Sequence, residues 1–304
     1  MTHYSINRIN SAGFRRSLPL AGHKYMFHVK KMASEDFEFA SQLTDMMNWD
    51  LIEEDFEFMR RFEPDGCFVL LCESERIGIA TTISYGQVGW LGNVIVRENH
   101  RRRGGGSLLV RHAVEYLTSK GVETIGLYAY LETIPFYVKH DFQYDSKFVV
   151  LKGRGFPAST KAHLREAEKA DLQQIVDLDH LYFGASRRKL LEPIILDPGN
   201  LCYVYSDDVR IFGFAAAKVY NGIAEIGPLV CRRGYDDVAI DLLKAILNKL
   251  KDYEVSICMP EKESNIFNLL TRYGFQEDFQ LARMFYGRPI VNNFIYVAES
   301  IERG

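Results

Sequence analysis

Apolar residues fall into two kinds of spacing along this chain. Runs such as Cys67-Phe68-Val69-Leu70-Leu71-Cys72 are short and continuous, as in strands covered on both faces, whereas Leu108, Leu109, Ala113, Val114 and Leu117 recur at helical intervals. The pattern predicts a strand over residues 26–32, then Ser34 as a helix cap with Glu35 and Asp36 in the first turn. Two short helices split near Asn48 follow. Strands over 67–73 and 77–85 pair around Ser74-Glu75, and 88–96 supplies a fourth strand after the turn at Gly86. A helix over 105–120 ends at Gly121. A strand over 124–129, a short helix over 134–140 and a strand over 147–151 complete an α/β unit.

Residues 152–161 (KGRGFPASTK) have the glycine, proline and charge of a linker between separately packed units. A second series follows in a similar order: helices from 171 and over 187–196, strands over 202–205, 211–219 and 223–230, a helix over 235–250, a strand over 254–259, a helix over 264–273 and a strand over 281–286. Val96 matches Val230 at an offset of 134, and Asp141-Phe142 matches Gly274-Phe275 at 133. Two landmarks at nearly one offset point to a divergent tandem duplication. The expected organisation is a poorly ordered tail at 1–24, a first domain at 25–152, a linker at 153–161 and a second domain at 162–304. The tail is also open to reading as a presequence, or as an overlong start ahead of Met26.

Composition supports this division. A chain of 304 residues, 47% hydrophobic and 25% charged, is long enough for two ordinary domains. A formal net charge of -3 argues against a protein built mainly to bind nucleic acid. No run approaches the roughly 18 apolar residues needed to cross a membrane. The five cysteines, odd in number and without CxxC spacing, read as reduced core thiols of a cytoplasmic protein.

Candidate chemistry concentrates where strand 88–96 runs into helix 105–120, through Arg97-Glu98-Asn99-His100-Arg101-Arg102-Arg103-Gly104-Gly105-Gly106-Ser107. Glycines at such a junction let backbone amides approach a ligand. A helix N-terminus with three adjacent arginines is suited to phosphate. No Gly-Lys-Ser/Thr ends the run, and G-x-G-x-x-G is not met, so neither the Walker loop nor the dinucleotide loop fits. The bland alternative is an exposed basic turn.

The segment resembles the cofactor motif of the GNAT superfamily of N-acyltransferases, Gln/Arg-x-x-Gly-x-Gly/Ala after a strand, with Arg101, Gly104 and Gly106 at its fixed positions. Glu98 stands where many members carry proline. The resemblance implies a mixed, mostly antiparallel sheet flanked by helices in each half. It implies acetyl-CoA as co-substrate with no metal. Pantetheine would pair along Val94, Ile95 and Val96, the pyrophosphate would lie on Arg101, Arg102, Arg103, Gly104, Gly105, Gly106 and Ser107, and an amide near Val94 would serve as oxyanion donor. Leu127 to Phe142 resembles the family's later motif and puts Tyr137 at the catalytic tyrosine. A phenol, with its pKa near 10, stays protonated and can donate to the departing thiolate; the duller reading of Tyr137 is a core aromatic. Asp141 replaces the usual glycine, and Tyr130 stands where asparagine is common.

The general base is harder to find, because strand 88–96 contains no carboxylate that could face the acyl group; water is the remaining carrier. Asp50, Glu53, Glu54, Asp55 and Glu57 form an acidic stretch suited to a cationic amine or, equally, to a solvated helix face. Trp49, Asp50 and Trp90 are the candidate substrate residues, the two tryptophans being open to reading as core.

In the second half, Cys231-Arg232-Arg233-Gly234-Tyr235-Asp236-Asp237 stands at the place of the glycine loop with one glycine and two carboxylates. Leu270 stands where Tyr137 does. This half resembles the degenerate C-terminal GNAT-like domain of some bacterial and archaeal acetyltransferases, in the stretches Leu178 to Gly184, Ile226 to Val230 and Ala282 to Gly287. The expectation is an N-acetyltransferase with a small-molecule or protein amine as acceptor. Neither nucleic acid nor membrane is expected as partner, and a homodimer is allowed. The alternative is a non-catalytic acyl-CoA-binding sensor or scaffold.

Overall fold

The computed structural model describes residues 26–304 except 48, 50, 162, 208 and 291–294. The tail expected at 1–24, the helix break expected at Asn48 and the candidate Asp50 therefore lie outside the described residues.

The first half contains β1 (Phe27–Lys31), α1 (Phe37–Asp45), α2 (Glu53–Phe62), β2 (Cys67–Cys72), β3 (Glu75–Ser84), β4 (Val88–Val96), α3 (Gly105–Ser119), β5 (Thr124–Tyr130), α4 (Ile134–Val138) and β6 (Gln143–Arg154). Strand periodicity explains its layers. Along β2, Phe68 and Leu70 face one core, with Leu109, Ala113 and Leu117 of α3, while Cys67, Val69 and Leu71 face the other, with Phe37, Leu43, Phe56 and Met59 of α1 and α2. The sheet is thus covered on both sides, which is why its strands read as unbroken apolar runs.

The second half repeats the plan with β7 (Leu164–Glu166), α5 (Leu172–Phe183), α6 (Arg188–Leu196), β8 (Leu201–Ser206), β9 (Ile211–Tyr220), β10 (Ile223–Cys231), α7 (Asp236–Lys249), β11 (Glu254–Pro260), α8 (Ser264–Arg272) and β12 (Gln276–Gly287), and adds β13 (Ile295–Val297). The duplication extends to backbone conformation. Asp141 and Gly274, matched in sequence, have φ of 63° and 88°. Asp141 therefore adopts the left-handed conformation for which glycine is the easier choice, one that aspartate tolerates better than most residues.

The two halves are not separately packed. Strand order is β1-β2-β3-β4-β5-β12-β6-β11-β10-β9-β8-β7, with β13 on β10. Strand β12 lies between β5 and β6, and β6 lies between β12 and β11. The first half thus places β6 between two strands of the second, and the second places β12 between two strands of the first. One core cluster also spans both, joining Ile83, Tyr85, Val88 and Trp90 to Ile175, Leu178, Phe183 and Leu190. The linker expectation is corrected at its start, since Lys152, Gly153 and Arg154 are the end of β6, paired with Ser256, Val255 and Glu254. Gly153 is there because a Cβ would lie 2.5 Å from the Phe275 ring; a glycine of close approach reads in sequence like a glycine of flexibility. The five cysteines are free, and burial pushes the Cys67 and Cys202 thiols up to about 12. No helix among the described residues is long and apolar enough to cross a membrane.

Candidate active site

Strands β4 and β5 run parallel and pair only at Val88, Gly89 and Trp90 with Thr124, Ile125 and Gly126. Beyond that point they part. The register of β4 on β3 slips between the Thr81↔Gly92 and Ile79↔Ile95 pairs, leaving Asn93 and Val94 without partners there, and Asn93 takes φ 51°. This bulge bends the strand beside the opening. Asn93 is held by its amide nitrogen, which donates to Thr81 Oγ1 at 3.1 Å, while its own Oδ1 is buried without a partner among the described residues.

At the C-terminal end of β4 the loop leads into α3. Gly104 caps the helix with φ 93°, a conformation that a side chain would strain. Leu108 donates the first intrahelical hydrogen bond, to Gly104 O at 3.0 Å, so the amides of Gly105, Gly106 and Ser107 point out of the helix end. The Arg101 side chain folds back, donating from Nε to Val96 O at 2.8 Å and fixing the loop to the strand. Ser107 Oγ meets His140 Nε2 at 3.0 Å; burial and the nearby Arg111 lower the His140 pKa, with Asp141 opposing them.

A cleft of 2340 Å³ joins these parts, more than twice the roughly 1,000 Å³ of a large small-molecule site. Val94, Ile95, Val96, Arg101, Arg102, Gly104, Gly106 and Ser107 line it. Gly105 does not: it packs inward, where a Cβ would lie 2.7 Å from Leu70 Cδ2. Arg103 is exposed and also lies off the lining. Tyr137 lines the cleft with its ring against Phe136 and Phe142. Its hydroxyl takes no hydrogen bond from the described residues, and burial pushes its pKa well above the ordinary phenol value.

The candidate substrate residues part company. Trp49 is in the wall, donating from Nε1 to Tyr130 Oη at 2.7 Å. Trp90 is not in the wall. It is 1% exposed, packed on Tyr128, Phe183 and Phe285, because the neighbouring half covers this end of β4. In the acidic stretch, Glu53, Glu54 and Asp55 form the first turn of α2, and Asp55 Oδ2 accepts from the Ile52 amide at 3.0 Å. This is helix capping as much as charge display.

An opening between parallel strands, beside a helix end with outward amides, fits a ligand with an extended amide-bearing arm and a pyrophosphate. A model described as the Acetyltransferase (GNAT) family matches residues 29–142, and one described as an Acetyltransferase (GNAT) domain matches 175–296. The chain belongs to the GNAT acetyltransferases, with two such domains in tandem. Among curated proteins it is similar to the uncharacterized N-acetyltransferase YitH of Bacillus subtilis, 23% identical over 217 residues that cover 70% of this chain and 75% of that one. A putative acetyltransferase from Pyrococcus horikoshii has a similar fold, with TM-score 0.77, 23% identity, and coverage of 96% of this chain and 100% of that one. A tandem GNAT protein from the clavulanic acid biosynthesis pathway matches with TM-score 0.58 and 15% identity over 87% of this chain and 99% of that one.

The second GNAT domain repeats the splay and then fills it. Strands β10 and β11 pair from Ile223↔Glu254 to Ile226↔Ile257 and then part. Strand β13 enters the gap. It pairs with β10 at Leu229↔Val297 and Val230↔Ile295, and the Ala298 amide donates to Cys258 O of β11 at 2.9 Å. Tyr296 Oη donates to Asp236 Oδ1 at 2.7 Å, at the start of α7. The chain's own backbone thus lies where the first domain has an open cleft, and Leu270 is fully buried core.

Past β13, residues 298–304 cross from the second splay to the first. Ala298 O abuts Gly227, and a Cβ on Gly92 would lie 2.7 Å from Glu302 O. Trp90 Nε1 donates to Ile301 O at 3.2 Å, Tyr85 Oη to Arg303 O at 3.0 Å, and the buried Arg187 guanidinium to Gly304 O. Ile301, Glu302 and Arg303 line the cleft. Sequence reasoning gave these residues no role. The apolar run Ile295-Tyr296-Val297-Ala298 is the signal that could have pointed to a strand there.

Proposed function

We propose that the first GNAT domain transfers an acetyl, or another short acyl group, from acetyl-CoA to a primary amine by direct attack. The observation that carries this reading is the open β4–β5 splay, which has a helix N-terminus at one end and an unengaged phenol in its wall. Val94 and Val96 would hold the pantetheine arm. Arg101, Arg102 and the amides of Gly105, Gly106 and Ser107 would hold the pyrophosphate. Bound there, acetyl-CoA supplies a thioester carbonyl activated toward amines.

Tyr137 holds a proton on its hydroxyl at any working pH, since burial raises its pKa, and gives it to the departing sulfur. The unpaired position of Val94 in the bulge leaves its amide available to stabilise charge developing on the carbonyl oxygen. Phe136, Tyr137 and Leu91 contribute apolar wall and keep water from the reacting carbon.

The test is thiol release from acetyl-CoA with a panel of primary amines. Acceptor-dependent release above hydrolysis is the expected result. If acetyl-CoA binds and no amine raises release, the reading fails in favour of an acyl-CoA-binding sensor.

A further inference from the structure

Strand β4 offers no carboxylate to the acyl site, but of the several carboxylates that line the cleft one is brought from the far end of the chain. Glu302 lies on the 298–304 segment, whose backbone rests on Gly92 two residues past the last β4–β5 pair. It lines the same cleft as Val94 and Tyr137.

The charges around it do not balance. Lys218 Nζ pairs with Glu225 Oε2 at 2.6 Å and with Glu299 Oε1 at 2.6 Å, and Arg303 Nε pairs with Glu299 Oε2 at 3.0 Å. Lys218, Glu299 and Arg303 are 7% exposed or less in their side chains. Two cations therefore serve three carboxylates, and both are committed to Glu225 and Glu299. No side chain donates to Glu302 among the described residues. The groups whose charge reaches it are Glu225 and Lys218 on neighbouring strands, Arg303 next to it in sequence, Tyr130 of β5 and Cys258 of β11.

We infer that Glu302 receives the acceptor's ammonium group in this cleft and takes its proton, so that the second domain's closing segment supplies the general base of the first. This rests on the acetyltransferase reading above. An ammonium brings the one positive charge that the cluster lacks, and a carboxylate held only by its own backbone amide keeps acceptor capacity to bind it. Burial and Glu225 raise the Glu302 pKa, with Arg303, its own backbone amide and Lys218 only partly offsetting them, which makes it a better base than an exposed glutamate. One ammonium proton passes to Glu302 and on to solvent. The free amine forms the C–N bond, the C–S bond breaks, and the sulfur leaves with the electron pair and the Tyr137 proton. The second nitrogen proton then returns to Tyr137.

The experiment compares wild-type protein with Glu302→Gln and Glu302→Asp, using two probes: butylamine, protonated at neutral pH, and methoxyamine, which is not. Transfer to butylamine is expected to fall about 100-fold in Glu302→Gln and to recover as pH rises toward the amine pKa, with partial rescue in Glu302→Asp. Transfer to methoxyamine is expected to stay within about three-fold, because it needs no base at the first step. Equal losses for both probes, or no loss, would overturn the proposal. Binding of butylammonium to the CoA-loaded protein gives a readout independent of turnover. At least ten-fold weaker binding in Glu302→Gln is expected, and equal binding overturns the proposal. If wild type acetylates neither probe nor any other amine, the acetyltransferase reading falls, and the binding comparison still decides whether Glu302 receives an ammonium.

Discussion

Replacing Tyr137 with phenylalanine separates chemistry from binding and folding. The ring packs on Phe136 at 5.0 Å and Phe142 at 5.8 Å between centroids, contacts that phenylalanine keeps. The hydroxyl has no partner among the described residues, so its removal orphans no buried group, and the stability change should stay within about 1 kcal/mol. What disappears is the proton donor. General acid catalysis contributes roughly 10²–10⁴-fold, equivalent to about 2.7–5.4 kcal/mol of barrier at 1.36 kcal/mol per decade. The assay is the single-turnover rate with acetyl-CoA prebound, alongside calorimetric affinity for acetyl-CoA. A rate loss of at least about 100-fold with affinity unchanged within about two-fold is expected. The wild-type rate should also show no falling limb from this phenol below about pH 10, since burial moves its pKa upward from the ordinary value. A Tyr137→Phe rate within about three-fold of wild type would remove the phenol from the mechanism.

Two further outcomes follow from the buried charges. Arg187→Met should destabilise the chain by about 3–5 kcal/mol in urea unfolding, because Arg187 and Asp179 are both 0% exposed and paired at 2.6 Å and 3.0 Å, so that Asp179 is left as a buried, unpaired charge. The double variant with Asp179→Leu should recover much of that loss; if the double variant is no more stable than the single one, the pair is not the cause. Burial pushes the Asp36 pKa up, but hydrogen bonds from Lys30, the Ala33 amide and Arg76 reverse this and hold it below the ordinary carboxylate value. A lowered folded-state pKa contributes stability above the unfolded value, near 3.9, that is lost as pH falls through the folded value. Wild type should therefore lose its advantage over Asp36→Asn as pH drops from 5 to 2, and a gap that persists at pH 2 would contradict that assignment.

The legible parts of this protein are local ones. The strand-to-helix junction at Arg101 to Ser107 carries its conformation in its own glycines, and Tyr137 lies in a contiguous motif. What sequence hid is pairing between distant segments. Strands β6 and β12 have ordinary strand patterns, and nothing in either says that each completes the other domain's sheet. Trp90 gives no sign that Phe183 of α5 and Phe285 of β12 will cover it. The run at 295–298 is too short to display a period, and Glu302 sits in a polar stretch with no motif. Its role emerges only when β13 fills one splay and carries the following residues to the next.

The central claim is that two related folds share one acyl-CoA cleft, the second being filled by β13. Calorimetric titration of the full chain with CoA tests it directly. One equivalent per chain is predicted, and none for Gly106→Val, whose side chain would occupy the approach to the α3 amides beside Phe136, 3.5 Å from the new Cβ. Two equivalents per chain, or one that survives Gly106→Val, would contradict it.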